Sequence, residues 1–220
     1  MKRRIALRGG EIRTIDGDVA SQAKDSIDVV IVNAAPVARY YYSESFDPNV
    51  AKAPICWSGD TQRPSSDIPD DQKQSSRCMD CPQNVRGSGS FGGRACRFSQ
   101  RLAVTLTEDP SVVYRLQIPA TSIYGRGSNG NMPLQEYVKF LSARGSNTTG
   151  IVTRVYLDEE SAVPKLFFKP IRSLNEEELD VADQMISHSD TVAAIQTDEY
   201  TVAQVTSPFD EVDGFEFDAN

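Results

Sequence analysis

Arg101-Leu102-Ala103-Val104-Thr105-Leu106-Thr107, a turn at Asp109-Pro110, then Val112-Val113-Tyr114-Arg115-Leu116-Gln117-Ile118-Pro119 is the stretch that decides the fold class. Two runs rich in β-branched residues, joined by turn-forming residues, predict an antiparallel hairpin. Downstream, Ile151 to Leu157 and Leu166 to Ile171 repeat the pattern and predict a second hairpin. Upstream, Ile27-Asp28-Val29-Val30-Ile31-Val32 is nearly unbroken in apolar character, as expected of a strand covered on both faces. Pro36 interrupts it, and Val37-Ala38-Arg39-Tyr40-Tyr41-Tyr42 resumes as a strand. Ile5 to Arg8 and Ile12 to Ile15, with Asp16-Gly17 as a turn, supply two more.

Helical signals are few. Leu134 to Ala143 carries apolar residues at 134, 137, 138 and 141, one face of an amphipathic helix. Asn175 followed by Glu176-Glu177-Glu178 is a cap with acids in the first turn, and predicts a helix to about Ile186. There is no internal repeat and no strand–helix alternation. Six or seven short strands with minor α therefore predict a mainly β chain, an OB-like Greek-key barrel spanning residues 1–197.

One segment of that barrel cannot order itself by burial. Residues 54–100 hold all four cysteines, as Cys56-x21-Cys78-x2-Cys81-x14-Cys96, and few large apolar side chains. A Cys-x-x-Cys pair on a tight turn with two more cysteines at loop distances can close a tetrahedral shell of four sulfurs. Four soft thiolates without a nearby histidine favour zinc, one per chain, and leave no open position for a catalytic water. A zinc-binding four-cysteine insertion with a structural ion is the expectation, and two disulfides in an oxidising compartment are the alternative. The basic N-terminus MKRRIALRGGEIR lacks the apolar core of a signal peptide, and no run is long enough to span a bilayer. A cytoplasmic, membrane-independent protein is expected.

Charge is divided along the chain. The net of −8 conceals thirteen acidic residues and no Lys or Arg from Glu176 to Asn220, leaving residues 1–175 with 23 basic against 18 acidic. A basic body with an acidic end suggests a nucleic-acid partner. From residue 77 to 101, across the last three cysteines, Arg77, Arg86, Arg94, Arg97 and Arg101 meet one acid, Asp80. Arginine on flexible backbone suits phosphate contact. Tyr40 and Tyr42, with Arg39 beside them, together with Trp57 and Tyr124 near Arg126, offer rings on which unpaired bases can stack. Gly87-x-Gly89-x-x-Gly92 matches a dinucleotide fingerprint in letters, but it sits between cysteines rather than between a strand and a helix. A turn is expected there.

Catalytic signals are absent from the pattern. His188 is the sole histidine, so no Ser-His-Asp, Cys-His or zinc-hydrolase constellation can be assembled, and no catalytic residue is expected. Residues 198–220 are polar and acidic and predict a disordered tail. Its phenylalanines Phe209, Phe215 and Phe217 suit docking on partner proteins by charge and aromatic anchors.

The residues Ala53 to Ser58, Cys78-Met79-Asp80-Cys81-Pro82-Gln83-Asn84, Gly92-Gly93-Arg94-Ala95-Cys96 and Arg101 to Val104 resemble a family from tailed-phage genomes. The plan of barrel plus acidic, aromatic tail is similar to phage replication single-stranded DNA-binding proteins, although Asp218-Ala219-Asn220 follow the last aromatic here. That resemblance implies an OB-type barrel that holds single-stranded DNA in replication or recombination. It also implies replication proteins met by the tail. Two other functions fit the same residues: a zinc-containing module that grips a polymerase, and a carboxylate metal-dependent nuclease.

Overall fold

The computed structural model describes residues 3–8, 11–42, 54–89, 92–127, 129–161 and 164–196. Its strands are β1 (Arg3–Arg8), β2 (Glu11–Asp16), β3 (Val19–Ala20), β4 (Ser26–Ala34), β5 (Ala38–Tyr41), β6 (Cys56–Ser58), β7 (Cys96–Leu106), β8 (Asp109–Pro119), β9 (Ile151–Leu157) and β10 (Leu166–Ser173). The helices are α1 (Ala120–Ile123), α2 (Leu134–Ser142), α3 (Glu176–Ile186) and α4 (Ser189–Ile195). The expected tail, with Phe209, Phe215 and Phe217, lies outside the described residues.

The chain is mainly β, and its strands form one mixed sheet in the order β10-β9-β4-β7-β8-β1-β2-β3 that curls into an OB-like half-barrel. Among the described pairs, only β1 and β8 run parallel, at Arg4↔Arg115 and Ile5↔Leu116. The hairpin that decides the class is β7–β8, paired from Ser99↔Pro119 to Leu106↔Asp109. Its reversal is made by Thr107 and Glu108, not by Asp109-Pro110, which begin β8. The missing N–H of Pro110 costs little at an exposed strand end.

β4 and β5 lie end to end along the other edge of β7. Val29↔Leu106 to Ala34↔Leu102 pairs the first, and Ala38↔Ser99 to Tyr41↔Cys96 pairs the second. Pro36 sits in the gap, where the backbone N–H of Ala35 still donates to the Arg101 carbonyl at 2.9 Å. β6 then pairs antiparallel with β5, at Arg39↔Ser58 and Tyr41↔Cys56. Being antiparallel to the same strand, β6 and β7 point the same way with β5 between them. The cysteine loop is the crossover that joins two parallel strands, a job usually done by a helix.

Both faces of the sheet are covered, as the run Ile27–Val32 requires. On one face Ile27, Val29 and Ile31 join Leu102, Val104, Leu116, Phe168 and the buried side of α2. Tyr137 of α2 is fully buried there, stacks on Phe168 at 6.0 Å, and shares a 2.6 Å hydrogen bond with Thr153. On the other face Val30, Val32 and Ala103 meet Ala182 and Met185 of α3 and Ala194 of α4. Each large side chain so buried contributes roughly 1.5–3 kcal/mol. Asn175 caps α3 as the sequence predicts, with the Glu178 side chain accepting in return from the Asn175 N–H to close a capping box. Helix α4 is not legible from apolar spacing. Arginines hold its C-terminal end: Arg115 donates to the carbonyls of Ala194 (2.9 Å) and Ala193 (2.7 Å), and Arg101 to that of Gln196.

Candidate metal centre

Strand register brings the cysteines together. Cys56, Tyr41 and Cys96 lie in one row across β6, β5 and β7, so their side chains share a face. The next row on that face is Ser58, Arg39 and Phe98. The loop between β6 and β7 folds back over these rows and delivers Cys78 and Cys81. A short 3-10 turn, Cys78–Asp80, and a second, Pro82–Asn84, flank Cys81 and make the knuckle. The Cys78 N–H donates to the Gln62 carbonyl at 2.9 Å, which fixes the knuckle to the loop's outgoing limb. Asp60 shapes that limb by accepting from the Gln62 N–H and the Ser58 hydroxyl, bonds that hold its carboxyl below the usual range.

All four cysteines are buried, none is in a disulfide, and all line one cavity with Arg39, Tyr41, Trp57 and Gln74. Burial pushes the Cys56 thiol up, and pushes Cys96 up to about 12 against the pull of Arg39. The donor set is that of a structural zinc site by type and number. As the sulfurs stand, however, no group of three or more Cys, His, Asp or Glu among the described residues is closed enough to hold an ion.

The sequence places all four expected ligands in an insertion at 54–100, whereas Cys56 belongs to β6 and Cys96 opens β7. The insertion is thus sewn into the sheet at both ends. Within it, the Gly87 and Gly89 N–H groups both donate to the Gly93 carbonyl, at 2.8 and 3.1 Å. A side chain at Gly89 would meet the Ala95 backbone nitrogen at 2.7 Å, so the close approach requires glycine.

The candidate nucleic-acid contacts divide into two sets. Arg77, Arg86, Arg94, Arg97 and Arg126 are exposed, Tyr124 is 39% exposed, and Trp57 and Tyr42 are half-buried. Arg77 is within 3.5 Å of Asp80, and Arg94 donates to the Asn84 carbonyl at 2.8 Å. Tyr124 meets Phe98 edge-on at 5.8 Å. The remaining three contacts are corrected by burial. Tyr40 is 7% exposed and packs with Ala38, Tyr42 and Trp57. Arg101 is 3% exposed and engaged at the end of α4. Arg39 is 9% exposed and faces the cysteine cavity. Alternation along β5 is the reason, since it sends Arg39 under the loop and Tyr40 into the opposite row, Trp57–Tyr40–Arg97.

Sequence reasoning missed Phe98, Ser58 and Gln74 as neighbours of the cysteines. No local pattern marks them, and they follow only from the order β6-β5-β7. Among the described residues, no helix is long and apolar enough to cross a membrane. In comparisons with known proteins, no family model matches the chain, and neither does any curated protein or any solved structure.

Proposed function

We propose that the chain is a non-enzymatic single-stranded DNA-binding protein whose cysteine loop is fastened by one structural zinc ion. One observation carries this reading. Exposed Arg97 shares a row and a face of the sheet with the half-buried ring of Trp57, and the loop over the opposite face carries exposed Arg86 and Arg94, with Tyr124 edge-on to Phe98 of that face. Cationic groups interleaved with rings on a β surface contact the phosphates and stack the bases of an unpaired strand. Zinc, when bound, ties Cys78 and Cys81 to the strand cysteines. The chain's own residues then hold the loop and its exposed arginines over the end of the sheet. The acidic residues 198–220 compete with DNA for this surface and offer replication proteins an aromatic handle.

Gel shifts with single-stranded and duplex oligonucleotides, with and without magnesium, test the reading. Preference for single strands without cleavage, weakening steeply with salt, is the expected result. No shift favours a protein-interaction module, and magnesium-dependent cleavage a nuclease. Trp57→Ala and Arg97→Ala should each weaken binding, and removal of residues 198–220 should tighten it. A metal assay on the purified protein should return about one zinc per chain. A metal-free protein with ordered cysteines would sink that part of the proposal.

A further inference from the structure

Arg39 occupies an unusual place for a buried cation. Its strand, β5, runs between the strands that carry Cys56 and Cys96, and register sets it one row from them on the same face. From there its Nη1 donates to the carbonyl of Cys78 at 3.2 Å, reaching the knuckle across the cavity. Its guanidinium carbon lies 4.2 Å from the centroid of the Phe98 ring, which fixes the plane of the group. The side chain is 9% exposed, and its Nε is buried with no hydrogen-bond partner among the described residues. A guanidinium held under a cluster of four thiols by a ring on one side and a ligand's own carbonyl on the other is more than a filler of space.

We propose that Arg39 is the positioning residue of the cysteine centre, the cation that sits behind the sulfurs and offsets their charge when they ligate metal. The proposal rests on the zinc reading above. Four thiolates around a divalent ion carry a net charge of −2, which is costly in a buried cavity unless an opposite charge is close. Arg39 supplies that charge from β5, so the strand that separates the two ligand-bearing strands also balances them. Its bond to Cys78 fixes the approach of the knuckle. Groups behind metal ligands that orient them and set their charge typically change metal affinity by about 10–100-fold when removed.

The test uses the full chain as wild type, Arg39→Gln and Arg39→Lys. Zinc retention is measured by chelator competition, thiolate reactivity by alkylation rate, and the centre's electronic state by the sulfur-to-metal charge-transfer band after cobalt substitution. Wild type without zinc removes the metal reading, and this inference with it. If wild type holds zinc, Arg39→Gln is expected to lose about 10–100-fold in affinity, alkylate faster and shift the cobalt band. Arg39→Lys, which keeps the charge but not the fork, is expected to fall between. Unchanged affinity, reactivity and band in Arg39→Gln would overturn the inference and leave zinc standing. Should Arg39→Gln not fold, Arg39→Lys decides: weaker retention with a shifted band supports the role, and wild-type behaviour overturns it.

Discussion

The two halves of β7 are held by different physics. From Leu102 to Leu106 the strand lies between β4 and β8, with α2 on one face and α3 and α4 on the other, and its apolar side chains are buried. From Cys96 to Phe98 it pairs with β5 alone, β8 joining only at Ser99↔Pro119, with short β6 beyond β5 and, in place of a helix, a loop whose buried residues are chiefly cysteines. The hydrophobic effect secures the first half without reference to any ion. Ordering the loop costs on the order of 1–2 kcal/mol per residue in backbone entropy, and its apolar content is too small to offset that alone. One strand thus joins a region that stabilises itself to one that depends on what its sulfurs hold.

Phe168→Ala should give the largest effect on the self-stabilised half. It empties a site stacked on Tyr137 and should cost about 3–5 kcal/mol in denaturant unfolding. If it instead opened only the cysteine end, the comparison would fail. Cys81→Ser is expected to do the reverse. Amides of 59–95 should exchange much faster with deuterium while those of 102–106 and 151–157 keep their protection. Uniform loss of protection along the chain would show that the halves are not separable. Asn175→Ala removes the capping box of α3, at the edge of the apolar half, and should lower global stability by about 1 kcal/mol.

The smallest effect concerns acid. The Arg172 guanidinium and the Asn175 N–H hold Glu178 well below its ordinary 4.5, down to about 2. A carboxyl depressed on folding adds stability above its unfolded value, and that contribution fades as pH falls from about 4.5 toward 2. An NMR titration in which Glu178 turns over near 4.5 in the folded protein would contradict this. Such a loss should appear at α3, where Arg172 and Asn175 hold the carboxylate.

The apolar half was legible in the sequence because its signals are local. The run Ile27–Val32, the β7–β8 hairpin, the spacing of α2 and the cap at Asn175 each declare themselves within a few residues. The site was legible as a set of cysteines but not as a place. β6 is three residues long, too short for any periodicity, and the burial of Arg39 and Tyr40 depends on which strands flank β5. Arg101 reads as one more loop cation until α4 supplies the carbonyl that it serves. Long-range register is what converts those letters into positions, and it leaves no mark on the residues nearby.

The shared direction of β6 and β7 fixes an order of assembly. Cys56 and Cys96 are forty positions apart in the chain, and they face a common cavity only once β5 has zipped onto β7 and β6 onto β5. Contacts of such long separation form late, after the local hairpins. The four sulfurs therefore converge only where β6, β5 and β7 already lie side by side, and a cation meets all of them together only in the paired chain.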